Sequence, residues 1–206
     1  MLNIKKFLLY TSLSITTPVF ATVGGPESIE ILGYEAKDQK VYLLRHFEDG
    51  RGRLPQLYYY QFKNNKYPNK IIQVNSLYIN PKTQKIDYDQ NDTKFNQELN
   101  KIKKRLQPLQ PTKVKNHISY LHKEIKQVPT WYDPQQTEAQ TTYTYRISNP
   151  SFQSATQKAV AYHSAVKVSQ QFMIPKQNKM LVTVQYRGIP FETGYDIEDP
   201  VLLLKK

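Results

Sequence analysis

A long hairpin pattern in residues 160–186, VAYHSAVKVSQQFMIPKQNKMLVTVQY, decides the fold. Apolar side chains keep one parity from Val160 through Val168 to Ile174, and a polar turn at residues 175–179 leads into a second apolar run at residues 181–186. Alternation with a period of two on both sides of a turn predicts a pair of antiparallel strands. We expect residues 160–174 to form one long strand whose even-numbered apolar side chains face the core.

The first half of the chain repeats this arrangement of a polar turn that ends in lysine and an apolar or alternating run that follows. The repetition predicts an antiparallel meander. Its expected strands are residues 29–35, 40–48, 56–62 and 70–79, with a short edge strand at 84–89. Residues 41–47 and 57–62 carry apolar or aromatic side chains at both parities, so we expect these two strands to be central and covered on both faces.

One helix is predicted, over residues 93–106. Phe95, Leu99, Ile102 and Leu106 recur at helical spacing, and Asp92 or Thr93 is placed to cap the first turn. Residues 113–128 are ambiguous between helix and strand, and the surrounding sheet pattern favours a strand. Towards the C-terminus we expect strands at residues 141–148 and through residues 191–197, and an apolar run at 201–204 that is held in the core.

These elements predict an α+β fold that is predominantly antiparallel β-sheet, built from a meander and hairpins, with one or two helices packed on it. An all-β sandwich is the alternative if the helix is peripheral. We expect residues 22–206 to form a single domain. The chain has no cysteine, which excludes disulfides, thiolate zinc sites and a thiol nucleophile, so the hydrophobic core alone must stabilise the fold.

Residues 1–21 have the three parts of a secretory signal peptide. Lys5 and Lys6 precede a mainly apolar stretch, and residues 19–21, VFA, place small side chains at the two positions that a signal peptidase reads. We expect cleavage before Thr22, a periplasmic or extracellular location, and no transmembrane segment in the mature chain. The signal looks bacterial, and export argues against a nucleic-acid partner.

No catalytic or metal-binding motif stands out in the sequence. The four histidines are scattered over three segments, and only His117 and His122 are close, at a separation that suits neither one helix face nor one strand face. An acidic group lies near the C-terminus at Glu192, Asp196, Glu198 and Asp199, without the spacing of a calcium loop. We therefore expect no metal, no cofactor and no catalytic residue recognisable from spacing.

The formal net charge of +12 makes anionic partners plausible. Two segments could contact such a partner: a glycine-rich turn beside several tyrosines, and the basic face of the predicted helix. The candidate binding residues are Arg51, Arg53, Tyr58, Tyr60, Lys101, Lys104 and Arg105. Arginine forks and tyrosine rings can hold carboxylates, phosphates or sugars.

Three functional hypotheses follow from the sequence. The leading one is a non-enzymatic exported protein that binds another protein or an anionic envelope component. The alternative is an envelope hydrolase whose site is assembled from residues distant in sequence. A third hypothesis is an assembly subunit that uses an exposed sheet edge, which a long unprotected edge strand would favour.

Overall fold

The computed structural model describes residues 24–63 and 69–206. The predicted signal peptide lies outside these residues. No helix in the described part of the chain is long and apolar enough to cross a membrane.

The described residues form twelve strands and one α-helix. The strands are β1 (Glu27–Glu35), β2 (Lys40–Phe47), β3 (Gln56–Gln61), β4 (Ile71–Gln73), β5 (Gln110–Pro111), β6 (His117–Pro129), β7 (Thr137–Ser148), β8 (Phe152–Ser154), β9 (Gln157–Tyr162), β10 (Lys167–Met173), β11 (Lys179–Ile189) and β12 (Tyr195–Lys205). Helix α1 spans Asp92–Lys103, and a 3-10 turn occupies Ser76–Tyr78. The predicted α+β class, mostly antiparallel sheet, is confirmed.

All twelve strands belong to one curled sheet, and β12 lies at its centre. One edge of β12 pairs antiparallel with β11 from residue 195 to 204. The other edge pairs with β1 at its start, in parallel at Glu27 and Ile197, and with β8 at its end. The meander β4-β3-β2-β1 therefore extends from the first part of β12, while β8 connects its last part to β7.

Three hydrophobic clusters lie between the layers that this curl creates. The first joins β7 and β9 to one face of β11 and β12, where Val182 and Leu203 are fully buried. The second joins the opposite face of β11 and β12 to β1, β2 and β3. The third lies under α1, between Phe95 and Leu99 of the helix and Tyr42 and Leu44 of β2. Both faces of β2 are thus covered, as predicted for this central strand.

Helix α1 begins and ends earlier than the sequence pattern suggests. The N-cap is Asn91, not Asp92 or Thr93, because the Asn91 side chain accepts a hydrogen bond from the amide of Thr93. The helix ends at Lys103 because the next residues turn towards β1, where Gln107 exchanges two backbone hydrogen bonds with Tyr34. A bulge at Gly33 of β1, with φ +140°, makes this close approach possible.

Three other expectations need correction. The strand expected over residues 70–79 is the short β4, which ends at Gln73 and is followed by the 3-10 turn at Ser76–Tyr78. The long strand expected over residues 160–174 is two strands, β9 and β10, because the chain turns at His163, where φ is +52°, and the two strands pair with different partners. Residues 84–89 form no regular strand, only an isolated bridge between Ile79 and Ile86. The ambiguous segment 113–128 does contain a strand, β6, and the predicted hairpin turn at 175–179 is confirmed between β10 and β11.

Candidate functional site

A cleft of about 240 Å³ lies where three chain connections meet at one end of the sheet. The connections are the β6–β7 loop, the β9–β10 corner and the β11–β12 turn. The cleft is lined by Thr130, Trp131, Tyr132, Thr137, Glu138, Tyr162, His163, Arg187, Pro190, Glu192, Thr193 and Gly194. We call this site the aromatic cleft. Loops that a rigid sheet holds in place are common locations for binding residues.

The β6–β7 loop holds two large aromatic side chains out towards solvent. Trp131 is 48% exposed and Tyr132 is 61% exposed. Their rings meet edge to face at a centroid distance of 5.6 Å, and Phe191 packs edge to face on Trp131 at 5.9 Å. Aromatic surface in water is unfavourable, so two exposed rings supported by the half-buried Phe191 indicate a contact surface.

Hydrogen bonds within the loop keep these rings in position. The buried Thr130 hydroxyl donates to the carbonyl of Asp133 at 2.7 Å, and the Thr130 amide donates to the carbonyl of Gln136 at 3.0 Å. The Asp133 carboxylate accepts from the Gln135 amide and from the Gln136 side chain. The loop is thus closed on itself, and little conformational entropy remains to be lost when a ligand contacts Trp131.

Charged groups of both signs line the rest of the cleft. Nε2 of His163 lies 3.6 Å from Oε2 of Glu138, and Nε of Arg187 lies 3.7 Å from Oδ1 of Asp196. The Tyr195 hydroxyl hydrogen-bonds to the Glu192 carboxylate. That hydrogen bond holds the phenol proton and raises the pKa of Tyr195.

The backbone around the cleft is shaped for close contacts between its walls. The corner at His163 is anchored because Oγ of Ser164 accepts a hydrogen bond from the amide of Arg187 at 2.8 Å. In the β11–β12 turn, Gly194 has φ +78°, and a Cβ there would lie 2.5 Å from Cδ of Arg187. Glycine at this position therefore lets the Arg187 side chain lie along the wall of the cleft.

The acidic group near the C-terminus is divided between the cleft and the core. Glu192 lines the cleft and Asp196 lies beside Arg187. Glu198 is buried, and its carboxylate accepts hydrogen bonds from the Ile29 amide, the Gln170 side chain and the Thr183 hydroxyl. Within the described residues, no group of three or more His, Cys, Asp or Glu side chains is arranged to hold a metal ion.

The structure separates the candidate residues of the glycine-rich turn from those of strand β3. Arg51 is exposed, whereas the Arg53 guanidinium stacks on Phe47 with Cζ 3.4 Å from the ring centroid. Tyr60 is 4% exposed, and its hydroxyl donates to the carbonyl of Pro200. Tyr58 is half-buried and lines an open pocket of about 310 Å³. Of these four candidates, Arg51 alone has an exposed side chain.

The basic helix is held by ion pairs along its length. Nζ of Lys101 lies 2.7 Å from Glu98, and Nε of Arg105 lies 2.7 Å from the carboxylate of Glu35, which is buried on β1. Lys104 is exposed. Arg105 thus links the segment that follows α1 to the sheet, while about half of its side chain remains exposed.

Sequence reasoning missed the aromatic cleft because its lining comes from loops up to 64 residues apart, Thr130 and Gly194 being the outermost residues. The stretch Trp131-Tyr132-Asp133-Pro134 lies in the loop between β6 and β7. The available signal was the placement of the only tryptophan of the chain in a polar turn, where a large apolar side chain has no core to enter.

Comparison with known proteins finds no matching family, no matching curated protein and no matching solved structure. The geometry of the described residues therefore carries the functional argument.

Proposed function

We propose that this chain is an exported bacterial binding protein whose aromatic cleft holds a neutral sugar unit of an envelope glycan. The observation that carries this proposal is that Trp131 and Tyr132 are about half exposed on a hydrogen-bonded loop. They lie beside a cleft lined by charged groups of both signs. Ligand sites characteristically combine aromatic walls with a few placed polar groups.

The polar lining suits hydroxyl groups better than it suits an anion. A sugar hydroxyl both donates and accepts hydrogen bonds, and the cleft offers a donor in Arg187, acceptors in Glu138 and Glu192, and both functions in the exposed Thr137. Carboxylates outnumber the one guanidinium, so an anionic ligand would be repelled here. The apolar face of a sugar ring would lie against Trp131 or Tyr132.

The basic surface has a separate role in this proposal. Without Lys5 and Lys6 of the signal peptide, the formal net charge of +12 falls to +10, so the mature chain is attracted to anionic envelope polymers, and exposed groups such as Arg51 and Lys104 contribute to that attraction. Such contacts are screened beyond ~8 Å at physiological ionic strength. The basic surface brings the protein to the envelope, and the aromatic cleft selects the ligand.

Export rests on residues 1–21 and has its own test. We expect the protein recovered from the periplasmic or extracellular fraction to begin at Thr22, as measured by intact mass. A product that retains Met1 and remains in the cytoplasm would contradict export, and with it the envelope glycan as ligand.

Trp131 is the only tryptophan of the chain, so its fluorescence reports directly on the cleft. We expect a soluble tetramer of N-acetylglucosamine or of glucose to shift the Trp131 emission and to protect it from iodide quenching. Tyr132→Ala and Glu138→Gln should each weaken this binding about tenfold, which corresponds to ~1.4 kcal/mol. Tyr120→Ala is the matched control, because Tyr120 is exposed on β6 outside the cleft lining. If neither oligosaccharide changes the emission, the sugar assignment is wrong.

A hydrolase is the second candidate, and the His163–Glu138 pair in the same cleft as Glu192 is the observation that favours it. A histidine beside a carboxylate is a common arrangement for proton transfer. Chromatography of the bound oligosaccharides after incubation separates the two candidates. A binding protein leaves them intact, whereas a hydrolase shortens them and loses this activity in His163→Ala.

A further inference from the structure

Strand β6 has an edge that no other strand of the described residues covers. It pairs with β7 from His117–Ser148 to Pro129–Thr137, with Leu121 left out at a bulge, and β7 is its only partner in the sheet within residues 24–63 and 69–206. Exposed apolar side chains lie along it: Leu121 is 52% and Ile125 is 55% exposed. A long, partly apolar edge strand of this kind presents unpaired backbone groups to another strand.

We propose that this edge pairs antiparallel with the same edge of a second copy, about a two-fold axis through Ile125. The argument is charge complementarity. Glu124 and Lys126 lie on the same face of β6, with Lys126 Nζ 3.1 Å from Glu124 Oε1. In an antiparallel pair centred on Ile125, each Glu124 lies directly opposite Lys126 of the second copy, which gives two cross-strand pairs of opposite charge.

Backbone geometry limits the other registers. Every second residue of a strand points its amide and carbonyl towards a given edge. When this edge pairs with the same edge of a second copy, the residues that oppose each other are therefore both odd-numbered or both even-numbered. The axis must therefore pass through a residue. An axis through Lys123, Glu124 or Lys126 sets two like charges directly opposite each other, and the axis through Ile125 does not. In this register Lys123 faces Gln127, so neither lysine of the segment repels the second copy.

The resulting contact is small. The bulge between Tyr120 and His122 ends the regular part of the edge, which leaves residues 122–128 to pair. Such a contact is below the ~1,200 Å² of a standard protein interface, so the dimer should depend on concentration. A strand-edge dimer would nevertheless continue the sheet from β7 of one copy to β7 of the other.

Cysteine cross-linking tests the register, because the natural chain contains no cysteine. Directly opposed residues have Cα atoms ~4.5–5.5 Å apart, within the range that a disulfide spans. We expect the Ile125→Cys chain, as recovered from producing cells, to form a disulfide-linked dimer under mild oxidation. Leu121→Cys is the matched control: it is similarly exposed, but the two copies of this position lie roughly 27 Å apart along the strands.

Charge exchange tests the pairing without a covalent bond. Sedimentation velocity from low micromolar to near-millimolar concentration should show a monomer–dimer equilibrium. Glu124→Lys and Lys126→Glu should each weaken the dimer roughly tenfold. An equimolar mixture of the two variants should restore association, because each then supplies the charge that the other lacks. Lys113→Glu, an exposed change outside β6, should have no effect.

Three results would overturn the proposal. The chain could remain a monomer at every concentration, or Ile125→Cys and Leu121→Cys could cross-link equally. Alternatively, a dimer could form that neither charge variant weakens, in which case another surface or another segment of the chain makes the contact.

Discussion

The guanidinium of Arg45 on β2 lies 2.5 Å from the carboxylate of Asp199 on β12, a contact between residues 154 positions apart. Its second arm donates to Glu27 on β1 at 2.7 Å, and the Asp199 carboxylate also accepts from the Tyr186 hydroxyl. Burial disfavours the charge on Arg45, but the hydrogen bonds and charges of Asp199 and Glu27 outweigh it, so the pKa of Arg45 is raised. Arg45 thus ties the meander to the central strand.

Removing this guanidinium should strongly destabilise the fold. Arg45→Ala leaves two carboxylates without their cation in a partly buried site, and we expect a loss of about 2–4 kcal/mol in the free energy of unfolding. Lys101→Ala is the control, since an exposed ion pair contributes only ~0.5 kcal/mol. Urea unfolding of both variants measures the difference. Equal midpoints would show that the Arg45 network contributes no more than a surface pair.

The protein should unfold steeply in alkaline solution. Burial raises the pKa of Tyr42, Tyr60, Tyr78, Tyr145 and Tyr186 above the ordinary 10.0. The folded state therefore retains protons that the unfolded chain releases near that pH, so the stabilisation is complete below pH ~10 and is lost as the pH rises further. Each tyrosine removes up to ~1.4 kcal/mol per pH unit in that range.

Urea unfolding measured from pH 8 to 11 tests whether the free energy of unfolding falls as the pH rises. Tyr145→Phe should flatten the alkaline decline, whereas Tyr132→Phe, at an exposed ring, should not. A decline that starts well below pH 9, or one that Tyr145→Phe leaves unchanged, would show that the buried phenols do not control it.

Gly33 should tolerate alanine poorly. A Cβ at this position would lie 2.7 Å from the carbonyl oxygen of Gln107, at φ +140°. We expect Gly33→Ala to cost ~3 kcal/mol or more, because both the backbone strain and the clash must be accommodated. Gly52→Ala isolates the backbone contribution, since φ is +67° and no atom lies within 4 Å of the added Cβ; its cost should be ~1 kcal/mol. Similar melting temperatures for the two variants would contradict the close contact with Gln107.

Because β9 and β10 are separate strands, the structure predicts a different effect of a charge at Val160 than the sequence pattern does. Val160 is 40% exposed and Val182 is fully buried in the first cluster. Val182→Asp should prevent folding, because an unpaired carboxylate in the core costs several kcal/mol, comparable to a domain's stability of roughly 5–15 kcal/mol. Val160→Asp should melt within a few degrees of the parent in a calorimetric scan. If both variants unfold, Val160 also faces the core, as expected if residues 160–174 form the single long strand that the sequence pattern predicts.

Elements that are determined by residues close together in sequence were predicted, and elements that depend on distant pairing were not. The turn at residues 175–179 and the helical spacing of Phe95 and Leu99 are local signals, and both elements were predicted. The shortened end of α1 was not, because it depends on the pairing of Gln107 with Tyr34, 73 residues away in sequence. The alternation of apolar residues did not reveal the turn at His163 either, because even-numbered positions are apolar both before and after this residue.

The candidate site was harder to predict for the same reason. The basic residues suggested from charge turned out to include Arg105, which is ion-paired to the buried Glu35, and Arg53, which is stacked on Phe47. A formal charge in the sequence does not show which charges a fold uses internally. The aromatic cleft depends on the convergence of three loops, and only the position of Trp131 in a polar turn hinted at it.

The central position of β12 determines when this sheet can form during synthesis. Until residues 195–205 leave the ribosome, β1, β8 and β11 lack the strand that all three share. β1 is the most distant of these partners, since Glu27 pairs with Ile197, and contacts between residues so far apart in sequence form slowly. If the chain is exported as proposed above, its central strand is synthesised after every strand that pairs with it, so the complete sheet cannot form before residues 195–205 have been made.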